Sequence, residues 1–309
     1  MTMPRMAERR RRVGRFLLAL VAAGSFWNCS GTQLLNNLST LSPGPSYSVE
    51  RDILFDGSTG LKLDVYAPKK AAGAPVVVFF FPGRWSMGDK ADYRFVAEGL
   101  VSRGMIAVLP NYRLYPEVRF PAFVEDAAQA VQWTHEHVAK FGGDPDRLFV
   151  MGHSSGAHLA ALLALDDAFL ARAGGNRGWL KGMIGLSGPY DFKPESAKDL
   201  AEMFGPPEKY KLSQPIHYVD GSNPPLLLLH GHDDNAVNVQ NTISLTTAVE
   251  RAGGTVETVL YPKLGHGLMV ASLASYYRMP AGPLDKVDAF VHARMDVVRT
   301  ARAAGTAAP

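Results

Sequence analysis

Residues 147–165 read RLFVMGHSSGAHLAALLAL and join two elements of different period through one sharp turn. Residues 148–151 are a continuous apolar run of strand length, the pattern of a strand buried on both faces. From Ser155 onward the chain is rich in alanine and leucine and reads as a helix to about Leu165. Between them lies Gly152-His153-Ser154-Ser155-Gly156, a G-x-S-x-G pentapeptide. A serine at the apex of such a turn presents its hydroxyl at a helix N-terminus, where backbone N–H groups can stabilise an oxyanion. The glycines have a steric reason, since a side chain at either flank would clash. Ser154 is therefore the candidate nucleophile, and the Ser155 N–H a candidate oxyanion donor.

Alternation of strand and helix continues outward from this turn. Residues 48–55 and 61–66 read as two strands around the turn Gly57-Ser58-Thr59-Gly60. Residues 75–81 (PVVVFFF) are unbroken apolar, and 105–109, 182–186, 225–230 and 255–261 supply further strands. Residues 121–140, 239–252 and 285–303 read as helices. Residues 188–222 contain Pro194, Pro206, Pro207 and Pro215 and no clean strand, as expected of an inserted cap of short helices. The alternation predicts an α/β domain over residues 46–303, with a mostly parallel sheet and helices on both faces. Active residues of such sheets gather in loops at the carboxyl ends of the strands.

A serine hydroxyl is a poor nucleophile until a base takes its proton. Gly265-His266-Gly267 follows strand 255–261, in a loop at its carboxyl end where flanking glycines would leave the imidazole reachable. His266 is the candidate base. A carboxylate must orient that base, and His230-Gly231-His232-Asp233-Asp234 follows the strand PLLLL. Both acids are available there. Asp234 is preferred, with Asp233 as a loop-capping neighbour. The same run has an alternative reading as a metal cluster, but downstream histidines at ligand spacing are missing, so no metal or cofactor is expected. Phe81-Pro82-Gly83-Arg84-Trp85 follows the strand 75–81, where a second donor loop belongs. Proline has no N–H, which leaves Gly83 and Arg84 as donors.

The composition is that of a globular protein: 309 residues, 47% hydrophobic and 20% charged, with 30 Gly and 21 Pro. Net charge is +3, and Arg5, Arg9, Arg10, Arg11, Arg12 and Arg15 all lie at the N-terminus, so the body is close to neutral or slightly acidic and no nucleic-acid surface is expected. The basic arm precedes the apolar run FLLALVAAGSFW at residues 16–27. This layout predicts a signal peptide or N-terminal membrane anchor over residues 1–29 and export to the periplasm or beyond. Cys29, the one cysteine, stands where lipidation would occur, although no small-residue lipobox precedes it. Residues 30–45 read as a linker and 304–309 as a disordered tail.

Taken in order, FPGRWSMGDK (81–90), PNYRLYPEVRFPAFVEDAAQAVQW (110–133), FGGDPDRLFVMGHSSGAHLA (141–160), GLSGPYDF (185–192), PPLLLLHGHDDNAV (224–237) and YPKLGHG (261–267) resemble the carboxylesterase branch of the α/β-hydrolases. The similarity is to feruloyl/acetylxylan-esterase-like and kynurenine-formamidase-like hydrolases. It implies an α/β-hydrolase fold, a Ser154–Asp234–His266 triad, and Gly83, Arg84 and Ser155 as oxyanion donors. It also implies that Trp85 shapes the acyl pocket and that the substrate is a small carboxylic ester. An amidase, arylformamidase or peptidase with the same triad, and a catalytically silent binding module, are alternatives. Such relatives carry His-Gly-Gly-x-Trp in the donor loop; Phe81-Pro82 here removes that histidine's hydrogen bond.

Overall fold

Long apolar runs without alternation can be buried only at the centre of a sheet covered on both faces. In the computed structural model, which describes residues 30–41, 46–277 and 279–303, eight strands form one such sheet. They are β1 (Tyr47–Asp56), β2 (Leu61–Pro68), β3 (Ala74–Phe80), β4 (Ile106–Pro110), β5 (Gly143–His153), β6 (Leu180–Leu186), β7 (Leu226–Gly231) and β8 (Val256–Tyr261). Their order is β1-β2-β4-β3-β5-β6-β7-β8. The β1–β2 and β2–β4 pairs are antiparallel, and every other pair is parallel. Every residue of β3, β4 and β7 is buried. Successive side chains point to opposite faces, so both faces of the central sheet are covered, as expected.

The helices are α1 (Ser30–Leu41), α2 (Arg94–Val101), α3 (Ala122–His137), α4 (Ser155–Leu165), α5 (Asp167–Arg172), α6 (Lys198–Phe204), α7 (Gln240–Arg251), α8 (His266–Ala271) and α9 (Pro283–Ala303). Three short helices, α2, α5 and α8, go beyond what the sequence pattern predicts. Gly99 interrupts the pattern of α2 and has a packing reason, since a Cβ there would stand 1.9 Å from the Leu273 carbonyl oxygen. Residues 188–222 do form a cap without strands, made of α6 and the 3₁₀ turns Pro194–Ser196, Pro207–Ser213 and Pro215–Tyr218.

The linker expectation fails for residues 30–41, which form α1. Asn36 clamps this helix to the chain before α2: its side-chain N–H groups donate to the Ala91 and Asp92 carbonyls at 3.0 and 3.1 Å. Its Oδ1 accepts the Phe95 N–H at 3.0 Å, and its own carbonyl accepts from Arg94. Polar residues were read as linker composition; here one of them is the docking group. Residues 1–29, 42–45 and 304–309, with the export and tail expectations they carry, lie outside the described residues.

One buried charge cluster ties the donor-loop end to the sheet. Lys90 is 5% exposed, and its ammonium donates to Asp64 at 2.7 Å and Asp52 at 2.9 Å. Asp64 on β2 also accepts the Asp52 N–H at 2.9 Å, and the Lys90 N–H donates to the Asn111 side chain at 2.8 Å. A cleft of about 460 Å³ opens beside the cluster, lined by residues including Arg51, Lys62 and Asn111; none of the candidate site residues lines it. Burying a charge is tolerated only while it is paired. Asp64→Ala is expected to destabilise the fold by about 3 kcal/mol, and the double variant Lys90→Met/Asp64→Leu by less, as read from urea unfolding.

Candidate active site

The strands β3, β5, β6, β7 and β8 run parallel, so their carboxyl ends share one edge of the sheet. Ser154 stands there between β5 and α4 with φ 54° and ψ −122°, a conformation that costs a non-glycine residue about 1–3 kcal/mol. The surroundings impose it. The Ser154 N–H donates to the Leu186 carbonyl at 2.9 Å, and its own carbonyl accepts from Ala157 and His158 at 2.9 and 3.1 Å. A Cβ on Gly152 would come within 2.2 Å of Gly156, and one on Gly156 within 2.0 Å of the Phe80 carbonyl oxygen. Both glycines of the pentapeptide are therefore required by backbone contact, as their spacing implied.

The carboxylate and the imidazole meet across the ends of β7 and β8. Gly231 makes this possible: a Cβ there would lie 1.8 Å from the Leu264 carbonyl oxygen, so only glycine lets the chain before His266 cross β7. His266 Nδ1 lies 2.7 Å from Asp234 Oδ2. The other oxygen of Asp234 accepts the N–H groups of Ala236 and Val237, both at 2.9 Å. Asp234 thus orients His266 and caps its own loop, while Asp233, expected as the capping residue, is exposed. His266 is also not the open loop residue its glycines suggested. It is the first residue of α8 and only 4% exposed, while a Cβ on Gly267 would meet nothing.

Two further histidines complete the arrangement. His230 Nε2 faces the Val237 carbonyl at 3.0 Å and Asp234 Oδ2 at 3.3 Å. Both are acceptors, so Nε2 carries the proton; Nδ1 pairs with the Thr242 hydroxyl at 2.7 Å. Burial pushes the Asp234 carboxyl up, but hydrogen bonds from His230 and His266 and the His266 charge outweigh it and hold the group far below the usual carboxylate range. His153, next to Ser154, is fully buried and its ring lies 4.5 Å from that of His266. Burial, and then the neighbouring His266, push its basicity well down, so it stays neutral beside the working imidazole. His230 was visible in the sequence only as part of HGHDD, and nothing there marked it as a partner of Asp234. No group of three or more His, Cys, Asp or Glu among the described residues is placed to hold a metal ion.

The donor loop runs with Gly83, Arg84 and Trp85 at φ 145°, 55° and 57°. Gly83 is required, since a Cβ would stand 1.8 Å from the Met87 carbonyl oxygen. Its own carbonyl accepts the N–H groups of Ser86 and Met87 at 3.0 Å, and that of Trp85 accepts from Tyr115 at 2.8 Å. Phe81, at the head of the loop, is held by Tyr112. The rings stack at 4.4 Å, and the Tyr112 hydroxyl donates to the Phe81 carbonyl at 2.7 Å. The Arg84 side chain reaches α6, where it pairs with Asp199. Trp85 is 4% exposed and packs against His158, Phe192 and Phe204 at 5.1, 5.5 and 4.9 Å between centroids. It therefore supports the loop from beneath and joins it to the cap.

A nucleophile turn, a buried Asp–His pair and a donor loop on one sheet edge are the parts of an acyl-transfer site. The BD-FAE family model matches residues 63–249. The chain belongs to the BD-FAE family. It sits in the carboxylesterase branch of the α/β-hydrolases and has their fold. An isoprenylcysteine alpha-carbonyl methylesterase, ICME, from Arabidopsis thaliana is 30% identical over 72% of this chain and 57% of its own length. The esterase LipQ of Mycobacterium tuberculosis is 30% identical over 76% and 61%. The chain thus spans less than two thirds of these curated relatives. Among solved structures, Est2 of Thermogutta terrifontis with butyrate bound superposes with a TM-score of 0.61 at 25% identity, over 86% of this chain and 96% of that one.

The buried histidines give the site a pH signature. His153 is pushed well below its ordinary value and His158 down to about 4, in both cases by burial. Below the unfolded value of about 6.5 the unfolded chain takes up protons that these two refuse, so stability falls as pH drops from about 6.5 toward 4. His158 donates to the Ser213 carbonyl at 2.6 Å, a bond that His158→Gln can keep. Between about pH 7 and about pH 5, urea unfolding is expected to show a loss of stability smaller in His158→Gln by about 2 kcal/mol.

Proposed function

We propose that this chain is a serine carboxylesterase that cleaves small carboxylic esters through an acyl-Ser154 intermediate. The observation that carries the reading is the 2.7 Å contact between His266 Nδ1 and an Asp234 carboxylate whose side chain has no accessible surface. It turns Nε2 away from the carboxylate, in an imidazole whose ring lies 4.5 Å from that of His153, the residue before the strained Ser154 turn. Asp234 fixes the tautomer with the proton on Nδ1 and stabilises the imidazolium. Ser154 Oγ attacks the ester carbonyl carbon while His266 Nε2 takes its proton. The oxyanion so formed is received by the backbone N–H groups of Ser155, Gly83 and Arg84. None of these three groups has a hydrogen-bond partner among the described residues.

Collapse of the tetrahedral species breaks the ester C–O bond, and the imidazolium returns its proton to the departing alkoxide. Water, deprotonated by the same Nε2, then attacks acyl-Ser154; the acyl C–Oγ bond breaks, the imidazolium returns its proton to Ser154 Oγ, and the acid leaves. The esterase names of the relatives and the butyrate held by the Thermogutta protein support a short acyl group. Export is part of the proposal: the arginine arm and apolar run of residues 5–27 precede Cys29, which is the candidate membrane attachment if it is lipidated. No helix among the described residues is long and apolar enough to cross a membrane.

Burst kinetics with p-nitrophenyl acetate and p-nitrophenyl butyrate test the reaction. One equivalent of p-nitrophenol is expected in the burst, and none from Ser154→Ala, whose kcat falls by about 10⁵–10⁶. Asp234→Asn keeps the loop-capping hydrogen bonds on Oδ1 but loses the charge, so kcat drops by about 10⁴. Because the triad acts as a unit, Ser154→Ala/His266→Ala is expected to be no slower than Ser154→Ala alone. A wild type with neither turnover nor fluorophosphonate labelling would instead identify a binding module.

A further inference from the structure

Arg84 contributes a candidate oxyanion donor with its backbone and an ion pair to the cap with its side chain. The guanidinium meets Asp199 in a two-point contact, Nε to Oδ2 at 2.9 Å and Nη2 to Oδ1 at 3.0 Å. Asp199 lies in the first turn of α6. The same helix is tied down twice more, by the Tyr115 hydroxyl donating to Glu202 at 2.8 Å and by the Phe120 N–H donating to the Met203 carbonyl at 3.0 Å. Tyr115 is itself bonded to the donor loop, since its N–H donates to the Trp85 carbonyl. Trp85 in turn packs on Phe204 at the end of α6. These contacts join residues 84–85 and 115–120 to each other and to one seven-residue cap helix.

We infer that the Arg84 and Asp199 side chains form a positioning pair through which the seating of cap helix α6 sets the oxyanion donor loop. This rests on the serine-hydrolase reading. Arg84 and Trp85 both occupy the left-handed region, where a side-chain-bearing residue stays only if its surroundings hold it. Gly83 is fixed internally by its turn bonds, and Trp85 by its ring and by Tyr115. Arg84, between them, is held at its side chain by Asp199 alone among the described residues. The fork geometry of a guanidinium on a carboxylate fixes direction as well as distance, so the pair restrains rotation of the Arg84 peptide toward which the oxyanion develops. Neither side chain needs to touch the substrate.

The pair is about half exposed, with side-chain accessibilities of 50% and 45%, so its contribution to fold stability is small. Catalytic rate is more sensitive, because a displacement of 1 Å in a positioned group can cost about a hundredfold. The experiment measures kcat and KM for p-nitrophenyl acetate in wild type, Asp199→Asn, Arg84→Gln, Arg84→Lys and Arg84→Gln/Asp199→Asn, at low salt and in about 1 M NaCl. Asp199→Asn and Arg84→Gln are each expected to lower kcat about tenfold with KM within twofold, and the double variant to be no slower than either. Arg84→Lys keeps charge without the fork and falls between. Wild-type kcat declines in high salt as the pair is screened, and the Gln and Asn variants do not respond.

Tm values within a few degrees of wild type show that these changes are not a folding defect. Wild-type kcat in Asp199→Asn, or a change confined to KM, overturns the positioning role while leaving the esterase intact. A wild type that neither turns over nor labels with a fluorophosphonate overturns both.

Discussion

A carboxylate with no accessible side-chain surface sits where the ends of two strands meet, and the site is organised around it. Asp234 accepts two backbone N–H groups of its own loop on one oxygen and faces two imidazoles on the other. A buried charge of this kind is tolerated only when hydrogen bonds replace its lost water. That requirement accounts for much of the surrounding sequence. Gly231 is needed so that Leu264 can cross and deliver His266. His230 and Thr242 complete the shell from β7 and α7. His153, neutral by burial, closes the opposite side of the base without competing for its proton.

The strain at Ser154 and the charge of Asp234 are held by the same sheet. Ser154 is anchored to the end of β6 through Leu186, and the glycines on either side let α4 press against the end of β3. Placing both groups on carboxyl ends of parallel strands lets rigid elements, not loops alone, set their separation. The donor loop has a different kind of support. Its far end is tied by the buried Lys90–Asp64 pair and its middle by Trp85 and Arg84 against the cap. The cap is thereby joined to the chemistry through this loop.

Most of the sheet was legible because burial on both faces leaves unbroken apolar runs, and PVVVFFF and PLLLL need no further context. The pentapeptide was legible because its glycines have a backbone reason that holds in any such turn. Helix α2 was not, since a short helix that carries a glycine for close packing has no clear period. Helix α1 was misread because Asn36, a polar residue, docks by hydrogen bonds and not by apolar contact. Asp234, not Asp233, lies against His266, and it also caps its own loop, because one carboxylate has oxygens enough for both tasks. His266 was found by its position in the chain, and its flanking glycines misled: burial and the cross-β7 path, not exposure, define its setting. The side-chain partner of Arg84, Asp199, lies 115 residues away in a cap with no readable pattern.

The central claim is that Ser154 carries the acyl group between the two half-reactions. Acid-quenched intact-mass measurement after mixing with p-nitrophenyl butyrate, followed by peptide mapping, tests it most directly. The account predicts a single butyryl adduct on the peptide containing Ser154, trapped in greater amount in Asp234→Asn than in wild type if deacylation is the slower step there, and absent from Ser154→Ala. Turnover with no adduct in any variant, or an adduct that persists at another residue when Ser154 is alanine, would contradict it.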